Sequence, residues 1–345
     1  MRTPRAAYLL LLVAALSCRK QEASAPEDAR AIRFSAVAPA AVSVSKAPSE
    51  FPSGEEVLFS DGNVIGVFGT WLSPENVSTD VFSKIPLTCY EDTPGEFRWD
   101  YSPHKYWRQG GFYDFNAVFP RSAAVQYGTN GNKLVITYSM HADNYDLMVA
   151  SAERDLRVTD DTSPVNLLFR HGCAAIRFLF SKGSDTNHYY LDSFSLGNLH
   201  TVGILVYNGG EVHVSDWNSA EYRTASVLEW QAASEAGRID VPEDYADLSA
   251  DGWDNWHFAV PQNMVQDDGV HPLLRFSAYV NDDTVPVSTV LSLPETYAGG
   301  DPVIWEPGKV YTYYIQIQPS DATVTLVATP WESSFAAVDD ISFGG

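Results

Sequence analysis

The sequence predicts an all-β protein made of antiparallel sandwiches, and three observations carry that prediction. The chain is rich in strand-forming aromatics, with 18 Tyr, 17 Phe and 9 Trp among its 345 residues, alongside many Val and Thr. Its apolar residues fall in short alternating runs. Turn signals such as Asp61-Gly62, Pro94-Gly95 and Asn130-Gly131 separate those runs, without helical segments long enough to make βαβ crossovers. The length suggests two domains. Lys and Arg number 22 against 44 Asp and Glu, a formal charge of −22. Such a surface repels nucleic acid, whose binding requires cations that displace counterions. With 45% hydrophobic residues, the chain has enough apolar surface to fold.

The first element is a targeting segment. Arg2 and Arg5 precede an apolar run from Leu9 to Leu16, too short to span a bilayer. Ser17-Cys18 follows it. A small residue before Cys is what a lipoprotein signal peptidase requires, so Cys18 is the expected lipidation site, although Ala15 stands where Leu is usual. A plain secretory cleavage with an ordinary Cys18 is the alternative. Residues 1–17 are therefore expected to be removed. Residues 18–31, polar and small, are expected to form a flexible tether. The expected location is the outer membrane and cell surface, held by acyl chains that each contribute about 0.8 kcal/mol per buried CH₂.

Ile32 to Val37 alternates, with Ile32, Phe34 and Ala36 on one face, which predicts a strand with a single buried side. Residues 38–53 return to Pro, Ser and Ala and read as a loop. Strands are predicted at 56–60, 63–69, 97–100, 112–118, 134–139 and 145–150. The charged stretch 151–164 reads as a domain boundary, giving an N-terminal domain over 32–160 and a C-terminal domain over 161–345. In the second half, strands are predicted at 165–170, 174–180, 190–196, 202–207, 256–260, 273–280, 286–292, 310–317 and 322–329, with a hint of helix at 224–236.

Catalytic signatures are missing: no G-x-S-x-G, H-E-x-x-H or P-loop occurs. The chain reads as a non-enzyme with no cofactor and no metal. His171 is expected to be a hydrogen-bonded structural histidine rather than a base. Asp247, Asp251, Asp254 and Asn255 lack the calcium-loop pattern and read as a solvated acidic loop. Cys89 and Cys173 are expected to be free and buried, since neither sits in a C-x-x-C pair. Two aromatic groups, Tyr101, Tyr106, Trp107, Phe112, Tyr113 and Phe115 together with Trp253 and Trp256, are read as core. A sugar-stacking platform is the competing reading. Asp283-Thr284-Val285 matches a short O-glycosylation acceptor pattern.

Several blocks, taken in order, resemble the fimbrillin family of type V pilins and accessory lipoproteins. They are IRFSAV at 32–37, GNVIGVFGTW at 62–71, KYWRQGGFYDFNAVFP at 105–120 and NYDLMVAS at 144–151, then VNLLFRHGCAAIRFLF at 165–180, HFAVPQNM at 257–264, WEPGKVYTYYIQI at 305–317 and VATPWE at 327–332. The resemblance implies two tandem β-sandwich domains of transthyretin-like, Greek-key type and a structural role in a fimbrium and in cell adhesion. It also implies lipoprotein export, cutting by an Arg/Lys-specific protease, and assembly with other fimbrial subunits by strand exchange. A surface glycan-binding lipoprotein is the alternative. The expected cut falls after Lys46, before Ala47, in the polar loop where the family carries Arg. Arg33 competes but lies within a strand. Ile32, Phe34 and Ala36 then mark the strand to be displaced. The tail after Trp331 is the candidate donor, although Asp339 and Asp340 make it a poor apolar strand.

Overall fold

The computed structural model describes residues 30–37, 59–94, 96–128, 133–140, 145–208, 211–215, 226–231, 239–247, 256–264, 271–297, 300–318 and 321–330. No α-helix occurs among them, so among the described residues no helix is long and apolar enough to cross a membrane. The all-β expectation holds.

The first half contributes strands β1 (Phe34–Val37), β2 (Val64–Leu72), β3 (Ser78–Thr93), β4 (Glu96–Asp100), β5 (Phe112–Phe119), β6 (Ala124–Gly128), β7 (Lys133–Ser139) and β8 (Met148–Asp155). These are followed by β9 (Val165–Leu168), β10 (Arg170–His171), β11 (Ala174–Ser181), β12 (Tyr189–Leu199) and β13 (Val202–Asn208). A six-stranded antiparallel sheet runs in the order β10-β8-β5-β2-β3-β4, and β1 with β9 forms a separate two-stranded parallel sheet. Ile65, Val67, Phe82 and Phe115 from the large sheet share one core with Ile32, Phe34, Val165 and Leu167. A second core gathers Phe178, Phe194, Trp305 and Tyr313 with Leu134, Ile136 and Tyr138.

Chain order and sheet order part company in two places. The β6–β7 hairpin joins β13, with Leu134 opposite Tyr207 and Ser139 opposite Val202. β9 and β10 pair with β1 and β8. Both pairings cross the division expected at 160/161, so the sheet, not the position along the chain, tells which core a segment joins. Two pairings are also parallel, β1 with β9 and β11 with Lys309–Gln318. A parallel pair needs a long crossover, and alternation in a strand says nothing about its direction.

Four local readings change. β3 was not expected, because its charges and Pro86 break the alternation. It pairs on both sides even so, with Pro86 opposite Gly66, irregular register around Phe82 and Lys84 at a φ of 50°, the mark of a bulge. β6 and Glu211–Ser215 were likewise missed; both are five-residue hairpin strands. Residues 151–155, read as boundary, extend β8 opposite Phe112–Asn116. The helix hint at 224–236 gives way to a strand, Ser226–Gln231, with Leu228 and Trp230 opposite Leu196 and Phe194. A six-residue run is too short for periodicity to separate helix from strand, and pairing decides.

Candidate functional site

The sequence points to β1 and its surroundings, and the structure places Ile32, Phe34 and Ala36 there. Ile32 is fully buried, Phe34 is 6% exposed and Ala36 is partly buried against the same core. Val37, on the other face, is exposed. Phe34 is gripped by three rings. It meets Phe82 and Phe115 edge-on with centroids 5.4 Å apart, and Tyr101 at 6.1 Å. Phe82 also packs on Tyr101 at 5.4 Å. The ring of Phe34 therefore fills a box whose other walls come from β3, β5 and the turn after β4. Such edge-on pairs contribute about 0.5–1.5 kcal/mol each beyond buried area. Ile32 and Phe34 together bury apolar contact of about 3–6 kcal/mol.

Backbone bonds hold the segment on two sides. The Ile32 N–H donates to the Lys105 carbonyl at 2.8 Å, and the Trp107 N–H donates to the Arg30 carbonyl at 3.0 Å. On the opposite side the Val165 N–H donates to the Arg33 carbonyl at 2.8 Å and the Phe169 N–H to the Val37 carbonyl at 2.9 Å. Ser35 Oγ donates to Asn166 Oδ1, pinning the register of Ser35 opposite Asn166. Tyr101 adds a clamp: its hydroxyl donates to the Ile32 carbonyl at 2.8 Å and accepts from the Lys105 N–H at 3.1 Å. Arg33 is exposed at its side chain but paired along its backbone. A protease that needs an extended, free segment meets none there.

Burial pushes the Tyr101 phenol up to about 12 and the Tyr189 phenol likewise to about 12. An unfolded tyrosine titrates near 10. Between those values the unfolded chain has lost a proton that the folded chain keeps, so stability falls as pH rises. We expect the urea midpoint to stay level up to pH ~10 and to drop between pH ~10 and ~12. Tyr101→Phe should make that drop shallower. A midpoint that rises or stays level across the window would contradict the assignment.

Other expected features take ordinary places. Tyr101, Trp107, Tyr113 and Phe115 are buried, while Tyr106 alone of that group is substantially exposed; the segment is core and not a stacking platform. His171 is buried, with Nδ1 2.9 Å from Asp146 Oδ1, as expected of a structural histidine. Cys89 and Cys173 are free and buried. Burial, then Asp61 and Glu91, raise the Cys89 thiol to about 11, far from a reactive thiolate. Among the described residues no three His, Cys, Asp or Glu side chains gather as a metal site. Cys18, Lys46, Ala47, Asp251, Trp253, Asp254, Asn255 and the tail after Pro330 lie outside the described residues.

The alternation of Ile32, Phe34 and Ala36 marks the strand but not what holds it. Val165–Leu168, Tyr101, Phe82 and Phe115 form its seat, and the Ser35–Asn166 contact spans 131 residues. No local pattern announces so distant a partner.

Fold and site together define an all-β sandwich protein whose first core is completed by its own N-terminal strand. The chain belongs to the fimbrillin-like family, whose model matches residues 53–331. Its fold is similar to that of a fimbrial protein from Bacteroides vulgatus, with 14% identity, TM-score 0.55, and 77% of this chain and 92% of that one covered. A candidate cell adhesion protein from Bacteroides ovatus aligns at 20% identity and TM-score 0.53, over 88% and 98% of the two chains. A second such protein, from Bacteroides uniformis, aligns at 15% identity and TM-score 0.51, over 89% and 99%. No curated protein matches the chain.

Proposed function

We propose that this protein is a fimbrial subunit, of the type V pilus kind, that serves cell adhesion and is exported as a lipoprotein. In this reading residues 1–17 are removed, Cys18 carries the lipid and the tether to the outer membrane ends before Arg30, because Arg30 and Ala31, expected to belong to it, are held by Trp107 and Tyr106. An Arg/Lys-specific protease then cuts between Lys46 and Ala47. The observation that carries the reading is the seat of β1. Two large side chains and a line of backbone bonds complete the core from one end of the chain, opposite a single strand, β9. Once the link beyond Val37 is cut, only pairing and burial retain β1. Its loss leaves an unpaired strand edge and an open aromatic slot, which favours addition of a neighbour's strand. The tail after Trp331 is the proposed donor.

Two experiments test the parts separately. Limited trypsin treatment should yield a chain beginning at Ala47 and, with it, a ladder of SDS-resistant oligomers. Lys46→Gln should abolish both, and an undiminished ladder in that variant would reject the cut site. For export, labelled palmitate should enter the wild type and not Cys18→Ala, which should stay as precursor or leave the membrane fraction. Equal labelling of the variant would reject the anchor.

A further inference from the structure

A cleft of about 220 Å³ opens where the N-terminal segment enters the first core. Arg30, Trp107, Arg108, Leu156, Asp160 and Thr162 contribute to its walls. We propose that this cleft binds a single acidic sugar, a hexuronic or sialic acid unit, through its carboxylate.

The walls are built rather than accidental. Arg154 is largely buried and lies over the Trp107 ring at 5.9 Å. From there its guanidinium reaches Asp161, Ser163 Oγ at 3.2 Å and the Pro164 carbonyl at 3.4 Å. The Leu156 N–H donates to the Gly111 carbonyl at 2.8 Å. The loop over 156–164 is thus fastened to the β4–β5 connection, which carries Trp107 and Gly111. On the other side the Trp107 N–H holds the Arg30 carbonyl, which fixes Arg30 beside the cleft.

The chemistry is specific. In a chain of formal charge −22, two exposed arginines, Arg30 and Arg108, meet at one cleft. Neither has an ion pair among the described residues. Arg108 stacks 4.8 Å over the Trp71 ring, an arrangement that fixes the guanidinium plane and leaves its edge for an oxyanion. Guanidinium groups pair with carboxylates through parallel N–H···O bonds, and both arginines line the cleft. Asp160 repels a doubly charged phosphate more strongly than a singly charged carboxylate, and it can accept from the hydroxyls of a sugar. Trp107 and Leu156 supply an apolar wall for the C–H face of a ring. Trp107 does so by its edge, since Tyr113 packs on it edge-on at 4.9 Å and Arg154 lies over it. A carboxylate, several hydroxyls and an apolar face in one small body describe an acidic sugar.

Because Arg30 lies four residues before Phe34, the cleft exists only while β1 is seated. An occupied cleft would therefore hold β1 in place, and release of β1 would discard the sugar. That coupling rests on the strand-exchange reading, whereas binding to the uncut chain does not, so the two fail separately.

The test titrates the uncut chain with glucuronate, N-acetylneuraminate, glucose and acetate by calorimetry. At least one sugar acid should bind saturably, about tenfold or more tighter than glucose and acetate. Arg108→Gln and, independently, Arg30→Gln should each weaken it about tenfold while leaving the urea midpoint essentially unchanged, as exposed substitutions do. Equal binding of acetate, equal binding of glucose, no saturation with either acid, or unchanged affinity in both variants would overturn the proposal. Persistence of binding after β1 has been exchanged would overturn the coupling alone.

Discussion

Phe34→Ala is expected to destabilise the uncut protein by about 3–5 kcal/mol, the usual cost of emptying a buried phenylalanine site. The size of the effect follows from its surroundings. Phe82, Phe115 and Tyr101 all make edge-to-face contacts with the ring; the first two sit in paired strands and the third is held by its hydroxyl, so they have little freedom to collapse into the space. The loss falls on a strand whose remaining attachments are mainly hydrogen bonds. Of the residues in β1, Phe34 alone places a large apolar side chain in the core. The variant should therefore release β1 as well as unfold earlier. Arg33, shielded by pairing in the wild type, should become a trypsin site, and a hydrophobic dye should bind the exposed slot. Val37→Ala on the exposed face of the same strand should change stability by no more than about 0.5 kcal/mol. Urea unfolding of the two variants side by side checks this. Similar midpoints for both would mean that Phe34 does not hold the strand.

The strand and its buried face were legible because alternation in Ile32, Phe34 and Ala36 is a local property with a period of two. Its partner was not. Parallel pairing with Val165–Leu168 is decided by how the sheets pack, and Asn166 carries no mark visible from Ser35. The same limit explains β3, where Lys84 and the Pro86–Gly66 pairing create a bulge that interrupts the pattern. It explains the β6–β7 hairpin too, whose strands join β13 across the expected boundary. Charge in 151–155 suggested a linker. Those residues instead run beside Phe112–Asn116 at the end of β8, where side chains such as Glu153 face solvent. Aromatic residues were read as core for a general reason, their large apolar area, and the segment 101–115 follows it. The cleft at Arg30 and Arg108 had no sequence signature, since 78 residues separate the two and only the bridge between Ala31 and Tyr106 aligns them.

The central claim is that β1 must leave its seat for subunits to join, and a reversible lock tests it most directly. Ser35 and Asn166 stand opposite each other with side chains in contact, and adjacent strands lie about 4.8 Å apart, within the span a disulfide bridges. Ser35→Cys with Asn166→Cys, in a chain carrying Cys18→Ser, should form that bridge. The native Cys89 and Cys173 are buried and stay out of the exchange. After oxidation and cutting at Lys46, the locked protein should remain monomeric on SDS gels. Adding dithiothreitol should restore the oligomer ladder to the wild-type level, with each single-cysteine variant forming the ladder in both conditions. A ladder of equal intensity from the oxidised, fully bridged protein would contradict the account, because subunits would then be joining with β1 still in place.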